Sequence, residues 1–451
     1  MIATANSWRD ALSIYLHRRV IGMLFLGFSA GLPLPLVFST FNTWLRDVGI
    51  SRTTIGFLSA VGLAYAFKVL WSPIVDRLEI PFLTRKLGQR RSWMLFAQFM
   101  IVVGLTFMAA SDPATQLTQV AIAAFLVAFS SATQDIAIDA YRIEAVDADR
   151  QGAMAATYIY GYRIAMIVGV AGSLYLADYV SWSFAYLVMA VCMSVGIITT
   201  LVITEPKRII SPLTLELERK MARMLHADPN SVSLFTRIEA WFVGAVIGPF
   251  AEFFSRNGAR AAIILALVSV YLISDYILGI MASPFYIDMG YTKTEIANVA
   301  KLFGLAMTLI GAGLGGILAV RFGVMRILLL GAILLAVTNM TYAWLATSTP
   351  DLWRLAVVIA ADNMSGGVAS VAFIAYLSSL TNTAYTATQY ALFSSLMKIP
   401  GKIAGLFSGL AVDTFGYPTF FLAAAATGIP AILLVIYLVR TEETQSPKEP
   451  A

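Results

Sequence analysis

Long apolar runs repeat along almost the whole chain and constrain its fold more than any other feature. A membrane-spanning helix needs about 20 mainly apolar residues. Only 13% of the residues are charged, against about 25% in soluble domains. The pattern predicts an all-α membrane protein and excludes a transmembrane barrel, whose strands alternate polar and apolar residues. Twelve spans are predicted, near 20–43, 54–73, 93–110, 117–140, 152–176, 182–203, 260–284, 297–319, 326–347, 355–379, 386–411 and 418–440.

The basic residues outside the predicted spans are distributed unevenly between the two sets of connecting segments. Twenty-two Lys and Arg fall in one set, which includes both termini and the central loop, and four fall in the other. Cytoplasmic loops carry the excess of Lys and Arg in multi-pass proteins. We therefore expect both termini in the cytoplasm, and we interpret the net charge of +5 as a topology signal, with no nucleic-acid partner.

An internal repeat relates the two halves of the chain. The segments 47–55 and 288–296 align without gaps at an offset of 241 residues. Arg163 precedes Asp178 by 15 residues, and Lys398 precedes Asp413 by the same distance. Two parallel repeats of six helices are typical of the major facilitator fold, whose transport site lies between the halves near mid-membrane.

The spans divide the chain into four predicted parts. These are an N-terminal six-helix bundle (1–203), a cytoplasmic central loop (204–259), a C-terminal six-helix bundle (260–440) and a cytoplasmic tail (441–451). Within the loop, the apolar but charge-interrupted segment 234–256 predicts an amphipathic helix in the membrane interface. A re-entrant segment or a thirteenth span is the alternative.

Ionisable residues inside the predicted spans are the main candidates for function. Burying such a residue costs about 2.5–3.5 kcal/mol on insertion scales, so each is a functional-site hypothesis. The candidates are Lys68, Asp135, Asp139, Arg163, Asp275, Lys301, Asp362, Lys398 and Lys402.

The fourth span carries Asp135, Asp139 and Arg142 at positions i, i+4 and i+7, on one face. Asp135 is predicted to lie level with Lys68 of the second span, where the two can form an ion pair. We propose Asp135, Asp139 and Asp275 as proton-coupling residues. The alternative is that Asp139 and Arg142 only brace the fourth span against the cytoplasmic loops.

Cations near mid-membrane in both halves indicate an anionic solute. Arg163, Lys398 and Lys402 are predicted to bind it, although pairing with an intramembrane carboxylate as a packing device is equally open. Polar and aromatic side chains at similar depth could contact sugar rings and amides, with ordinary membrane packing as the alternative. The further predicted substrate-binding residues are Lys68, Gln134, Tyr158, Tyr162, Asn363, Gln389 and Tyr390.

Helix-breaking residues and a charged loop predict the gates. Gly31 and Pro33 in the first span, and Pro400 in the eleventh, interrupt backbone hydrogen bonds, which is tolerated where protein or a cavity satisfies the freed groups. Asp76 and Arg77 follow the second span, where charges can bind neighbouring helix ends in one state and release them in another. Arg142, at the inner end of the fourth span, is assigned to the same gate.

Several other classes of protein are excluded. One cysteine and two histidines rule out a disulfide framework and a Cys- or His-based metal site. The chain has no phosphate-binding Gly-x-x-x-x-Gly-Lys loop and no zinc-type His-Glu-x-x-His pair. We therefore expect no cofactor, no metal and no enzymatic activity. The first apolar run is too long for a signal peptide and is expected to be the first spanning helix.

The sequence resembles the AmpG family of muropeptide permeases, within the major facilitator superfamily. The resemblance rests on the runs at 27–36, 65–77, 132–144, 248–256 and 274–305, among them ATQDIAIDAYRIE and SDYILGIMASPFYIDMGYTKTEIANVAKLFGL. The family's motif positions in this chain are Gly31, Lys68, Asp76, Gln134, Asp135, Asp139, Arg142, Asp275 and Pro284, and Pro284 joins the gating residues on this ground.

The resemblance implies an importer of the Gram-negative inner membrane, driven by the proton motive force. Its solute would be N-acetylglucosaminyl-anhydro-N-acetylmuramic acid, with or without the stem peptide, carried from periplasm to cytoplasm for peptidoglycan recycling and, in some species, β-lactamase induction. We expect a monomer in the lipid bilayer, with the glycopeptide and protons as its partners. The alternatives are a carrier of another anionic solute, such as acetyl-CoA, a peptide or a drug, and a membrane enzyme or sensor.

Overall fold

A computed structural model describes residues 13–50, 54–55, 58–206, 248–292, 295–405 and 407–445. This part of the chain is helical and contains no strand, as predicted. Ten of its helices are long and apolar enough to cross a membrane, namely Arg18–Asp47, Gln89–Ala110, Pro113–Glu144, Ala148–Tyr179, Trp182–Val202, Arg260–Ala282, Asn298–Phe322, Val324–Ala346, Leu352–Ser379 and Ser408–Thr441.

The other two predicted spans, 54–73 and 386–411, are present as series of short helices. The first series is Ser59–Gly62, Leu63–Phe67, Lys68–Leu70 and Ser72–Arg77, and the second is Thr386–Leu396 and Ile399–Gly405, continuing into Ser408–Ala426. We number the spans 1 to 12 in chain order. Spans 1–6 form the N-half and spans 7–12 form the C-half.

Several long spans are also interrupted. Span 1 consists of Arg18–Gly31, Pro33–Val37 and Ser39–Asp47, and span 7 consists of Arg260–Val270 and Ile273–Asp288. Span 5 contains the π-helical turn Val168–Gly172, and span 8 begins with the π-helix Ile296–Phe303 and continues as Gly304–Phe322. Span 12 ends with Ile429–Gln445. Such breaks leave backbone polar groups that surrounding protein or a cavity must satisfy.

Prolines lie at two of the predicted breaks. Pro33 begins a new helical segment immediately after the one that ends at Gly31 and Leu32. That position suits proline because the first turn of a helix needs no amide donor. Pro400 is the second residue of Ile399–Gly405. Pro284, in contrast, lies inside the continuous helix Ile273–Asp288.

The two ends of the bundle can be recognised by their side chains. We call the end that carries Arg90, Arg142 and Arg256 the inner end, which the basic loops predict to be cytoplasmic. Asp47 and Asp288 mark the outer end. There the chain reverses between spans 11 and 12 at Gly416, whose φ of 76° suits glycine, and the neighbouring Tyr417 hydroxyl donates to Asp288 at 2.5 Å.

Glycines allow close helix packing within and between the halves. A Cβ on Gly31 would lie 2.5 Å from the carbonyl oxygen of Tyr162, where span 1 meets span 5. Between the halves, a Cβ on Gly152 of span 5 would lie 2.9 Å from the Ala319 Cβ of span 8. Small residues at such crossings let the helices approach closely. The resulting van der Waals contact stabilises the crossing, because lipid provides no hydrophobic driving force between helices.

The central loop is described at residues 204–206 and from residue 248 onward. Its helix Gly248–Asn257, which we call the loop helix, contains the end of the predicted interfacial segment. Glu252 and Phe253 on this helix are buried, and Phe253 packs edge-on against Phe393 of span 11 at 5.2 Å. Residues 207–247 lie outside the described part.

Two adjacent glycines of span 10 give a test of this packing. A Cβ on Gly367 would lie 2.5 Å from the Thr308 carbonyl oxygen and 2.6 Å from the Ala312 amide, whereas a Cβ on Gly366 would meet nothing within 4 Å. We expect Gly367→Ala to destabilise the protein by about 1–3 kcal/mol, because the added methyl group would force the backbone of span 8 to move away. Gly366→Ala should be neutral or slightly stabilising, since alanine favours the helix.

Thermal unfolding of both variants in detergent checks the expectation, with Gly366→Ala as the matched control. Equal unfolding midpoints for the two variants would contradict the close approach of spans 8 and 10.

Candidate functional site between the two halves

The buried apolar clusters show where the halves meet. Among the described residues, one cluster around Phe41 and Trp44 belongs to the N-half, and another around Phe285 and Tyr342 belongs to the C-half. Three further clusters, which lie nearer the inner end, combine residues of both halves. The halves are therefore joined by apolar contact at the inner end, and each has its own core at the outer end.

A buried carboxylate fastens the inner end. Asp76 of span 2 accepts hydrogen bonds from the backbone amides of Ala387 at 3.2 Å and Thr388 at 2.7 Å, and from the Thr388 hydroxyl at 2.7 Å. These amides belong to the first turn of Thr386–Leu396, which has no intrahelical acceptor for them. The helix dipole also favours a negative charge there. We call this contact between the halves the inner latch.

Arginine holds Asp76 in place from the N-half. The Arg90 guanidinium lies 2.8 Å from Asp76 and 2.7 Å from Glu144, and its side chain is almost completely buried. The backbone amides of Arg90 and Arg91 donate to Glu205. Burial raises the pKa of the Glu205 carboxyl, while these two amides oppose the shift.

Two more arginines cross between the halves at this end. Arg142 donates to the Ser378 hydroxyl at 2.7 Å, and its guanidinium lies 5.0 Å from the centre of the Tyr390 ring. Arg77 lies 5.3 Å from the centre of the Tyr385 ring. Residues that we predicted for the gate, Asp76, Arg77 and Arg142, are thus together at the inner end.

The loop helix supports span 11 from the other side. Glu252 is buried and accepts hydrogen bonds from Gln389 at 2.7 Å, Asn382 at 2.8 Å and Arg256 at 2.9 Å. Gln389 in turn accepts a hydrogen bond from the Asn382 amide. Sequence reasoning did not single out Glu252, because an acidic residue in a charged loop is usually solvated.

Farther from the inner end, charged side chains of spans 2 and 4 form a central cluster. Lys68 Nζ lies 3.5 Å from Asp139 Oδ2, and Arg142 lies 3.6 Å from Asp139 Oδ1. The structure therefore corrects the prediction that Lys68 pairs with Asp135, because Lys68 forms its ion pair with Asp139 instead. Spacing along two helices fixes depth only to within about a turn, and the lysine side chain can reach either carboxylate.

Asp135 has a different environment from Asp139. Its Oδ1 is buried and has no hydrogen-bond partner. The charges of Lys68 and Asp139 act on it from the N-half, and the charge of Lys398 acts on it from span 11. The electrostatic environment of Asp135 is thus set by cations that do not contact it directly, and one of them belongs to the other half.

The C-half contains a cavity of 370 Å³ with its own carboxylates. Asp275 of span 7 and Asp362 of span 10 line it together with Lys301 and Asn363. Asp362 accepts a hydrogen bond from Tyr342 at 3.0 Å, and its Oδ1 is buried without a partner. The sequence identified Asp362 only as an intramembrane charge, and its position beside Asp275 required the fold.

Each half therefore carries a cation whose charge acts on a carboxylate of the other half. The charge of Arg163 on span 5 acts on Asp275, and that of Lys398 on span 11 acts on Asp135. Arg163 and Lys398 occupy equivalent positions in the sequence repeat, and both side chains are exposed. We call these two pairs the reciprocal charges.

The remaining predicted substrate residues are distributed unevenly. Tyr158 and Tyr162 of span 5 lie near Asp135 of span 4, and the centres of their rings are 5.9 Å apart. Gln134 is fully buried and exchanges two hydrogen bonds with Ser29, each of 2.9 Å. Asn363 is bonded to Thr308 and Ile359 at the cavity wall. Gln389 is buried with the loop helix in this conformation, and the Lys402 side chain lies outside the described part.

The described residues contain no group of three or more His, Cys, Asp or Glu that could hold a metal ion. The charged side chains between the halves offer electrostatic chemistry. It can attract an anion to Arg163 and Lys398, and it can exchange a proton at a buried carboxylate.

Comparison with known proteins identifies the family. The model of the Major Facilitator Superfamily matches residues 19–401 and 263–451. The anhydromuropeptide permease of Escherichia coli K12 is 35% identical over 96% of this chain and 82% of its own length. The AmpG 4 protein of Rickettsia felis is 34% identical over 94% of this chain and 97% of its own length.

Solved structures agree on the fold. The proton:xylose symporter XylE superposes with a TM-score of 0.61 at 13% identity, covering 95% of this chain and 96% of its own. The human organic anion transporter MFSD10 superposes with a TM-score of 0.59 at 11% identity, covering 96% and 100%. The major facilitator fold was thus predicted correctly, and the family model and the permease relatives indicate a transporter and not an enzyme, as predicted. The chain is a multi-pass membrane transporter that belongs to the AmpG family of the major facilitator superfamily.

Proposed function

We propose that this protein imports anhydromuropeptides from the periplasm to the cytoplasm by proton-coupled alternating access, for peptidoglycan recycling. The solute would be the disaccharide of N-acetylglucosamine and anhydro-N-acetylmuramic acid, with or without its stem peptide. The observation that carries the proposal is the pair of reciprocal charges between the halves. The name of the Escherichia coli relative, an anhydromuropeptide permease, supports the choice of solute.

Alternating access needs an interface that can close at either end. The inner latch and the mixed apolar clusters close the inner end in this conformation. If that end is cytoplasmic, as the basic loops predict, an importer in this state accepts its solute from the periplasm. Opening the inner end then requires Asp76 to leave the amides of span 11 and Arg142 to leave Ser378.

The anionic part of the solute would compete with the carboxylates of the reciprocal charges for the two cations. Arg163 is exposed and lies in the field of Asp275, so a stem-peptide carboxylate can compete for the guanidinium. Lys398 is also exposed and offers the same on span 11, and Lys402 remains a predicted binding residue of that span. Arginine binds carboxylates with two parallel hydrogen bonds, which adds geometric selectivity. Tyr158, Tyr162 and Tyr390 would contact the sugar faces.

We assign proton exchange to Asp135, and we assign Asp139 and Asp275 to proton coupling with it. A buried carboxylate with an unpaired oxygen stays charged only while cations remain near it. Lys398 belongs to the C-half, so rocking of the halves changes its distance from Asp135. Proton uptake at Asp135 would therefore follow the conformational change, and this links proton movement to solute movement.

The proposal is tested in proteoliposomes with radiolabelled anhydromuropeptide and an imposed proton gradient. We expect uphill uptake that a protonophore abolishes. Asp135→Asn should lose uphill uptake at least tenfold but retain exchange of labelled for unlabelled solute, because exchange needs no net proton transfer. Asp112→Asn on the same span is the control, since Asp112 is exposed and asparagine also caps a helix.

Full gradient-driven uptake by Asp135→Asn would refute its role as the proton site. Absence of anhydromuropeptide uptake by the wild-type protein, with uptake of another anion, would refute the solute assignment.

The cations have their own test. In Arg163→Gln and Lys398→Gln, we expect KM for a solute with free stem-peptide carboxylates to rise about tenfold or more, since a charge-assisted hydrogen bond contributes about 1.5–3 kcal/mol. KM for the amidated solute should change little in the same variants. Arg46→Gln, at the outer end beyond the reciprocal charges, is the control. Equal losses for both solutes would count against carboxylate recognition.

The inner latch predicts a shift in conformation. Asp76→Asn removes a negative charge from three donors of span 11 and from Arg90, so we expect the inner end to open more often. Ala387 packs between the halves and is 1% exposed, and cysteine at this position keeps the backbone amide. In a Cys192→Ala, Ala387→Cys background, maleimide labelling should accelerate about tenfold or more.

Asp147→Asn serves as the matched control, because Asp147 is an exposed carboxylate in the inner loop between spans 4 and 5. Unchanged labelling in Asp76→Asn would mean that the latch does not hold the inner end closed.

A further inference from the structure

A second cavity, of 490 Å³, lies at the inner end, away from the reciprocal charges. Its walls come from both halves: the end of span 4 and the start of span 5 on one side, and spans 7, 9, 10 and 12 with the loop helix on the other. Ile143, Val146, Ile264 and Leu438 supply apolar surface. The volume is within the range of small-molecule sites, about 300–1,000 Å³.

The charged residues described in the cavity wall are basic. They are Arg256 and Arg260, and no acidic residue is among the lining residues that the structure describes. Gly258, with a φ of 52°, bends the chain between the loop helix and span 7, so that arginines from both helices line one cavity. Arg256 also contacts Glu252 at 2.9 Å and the Leu380 carbonyl at 2.6 Å, and Arg260 donates to the Thr441 carbonyl at 3.4 Å.

An unused acceptor lies in the opposite wall. Gln151 is 5% exposed, and its amide nitrogen donates to the carbonyls of Ile143 and Val146 at 2.9 and 3.2 Å. Its Oε1 is buried and has no partner. A buried acceptor without a donor is costly, so a ligand that brings a hydroxyl to this wall would be favoured.

We propose that this cavity binds a phosphate ester that carries a hydroxyl group, the chemistry of a glycerophosphate. Arg256 and Arg260 bind the phosphate, and Gln151 accepts the hydroxyl. Arginine is well suited to phosphate because its planar donors match the oxygens. Two sources offer this chemistry, an anionic phosphatidylglycerol lipid and soluble glycerol phosphate. Basic pockets between spans on the cytoplasmic side are known to bind anionic lipid headgroups.

Binding at this position has a consequence for the conformation. Because the walls belong to both halves, the complete site exists only while the inner end is closed. A ligand that binds one state preferentially increases its population. The bound phosphate ester therefore stabilises the closed inner end, whatever solute the protein carries, and the inference is independent of the proposed function.

The test uses the full-length protein, purified in detergent and freed of lipid. Its thermal unfolding midpoint is measured with phosphatidylglycerol, phosphatidylcholine and sn-glycerol 3-phosphate, and lipid retention is measured by native mass spectrometry. We expect phosphatidylglycerol to raise the midpoint by about 2–4 °C and phosphatidylcholine to leave it unchanged.

The variants separate the site from general lipid effects. Arg260→Gln should abolish the rise, whereas Arg260→Lys should keep most of it, which also shows that the fold tolerates substitution there. Arg326→Gln is the control, because Arg326 is an exposed cation at the inner end that does not line the cavity. A rise with glycerol 3-phosphate that also depends on Arg260 would support the site with a soluble ligand. No rise with either phosphate ester, or equal rises in Arg260→Gln and the wild type, would overturn the proposal.

Discussion

The cost of placing charge inside a membrane organises this protein. Lys68, Asp135, Asp139, Arg163, Asp275, Asp362 and Lys398 all lie within apolar spans, and each must find a partner or face a cavity. The fold meets this requirement along the interface between its halves. Asp139 is paired within the N-half, whereas Asp135 and Asp275 each lie in the field of a cation from the opposite half. Any movement of the halves therefore changes the electrostatics of both carboxylates, and this is the physical basis of the proposed coupling.

A second constraint is the unpaired amides at the start of a helix. Span 11 begins inside the interface at Thr386, so its first N–H groups need acceptors from elsewhere. Asp76 supplies them from the N-half, and Arg90, which is also paired with Glu144, offsets the buried negative charge. Glu252 of the loop helix holds the preceding loop through Asn382 and Gln389. The same helix start is thus contacted from the N-half and from the central loop, which gives the loop a part in closing the inner end.

Prediction from the sequence worked best where a single helix decides the outcome. Apolar length identified the spans, and the positions of Pro33 and Pro400 indicated the breaks, because proline acts on its own backbone. Prediction was weaker where two helices meet. Lys68 was placed level with Asp135 but pairs with Asp139, since depth along separate helices is uncertain by about a turn. Gln134 and Gln389, polar residues in apolar spans, were expected to contact solute; here both are buried, and their amides are bonded to Ser29 and Glu252 respectively.

The sequence by itself determined the class of protein, the number and order of apolar segments, the two-fold repeat and the short set of intramembrane charges. These follow from local composition and spacing, which are fixed before the chain folds. Only the tertiary structure decided which charges act on each other, because Arg163 and Asp275 are 112 positions apart in the chain and belong to different halves. It also decided that Arg256, Arg260 and Gln151 share one cavity, since the bend at Gly258 and the closed inner end bring together segments that no sequence periodicity connects.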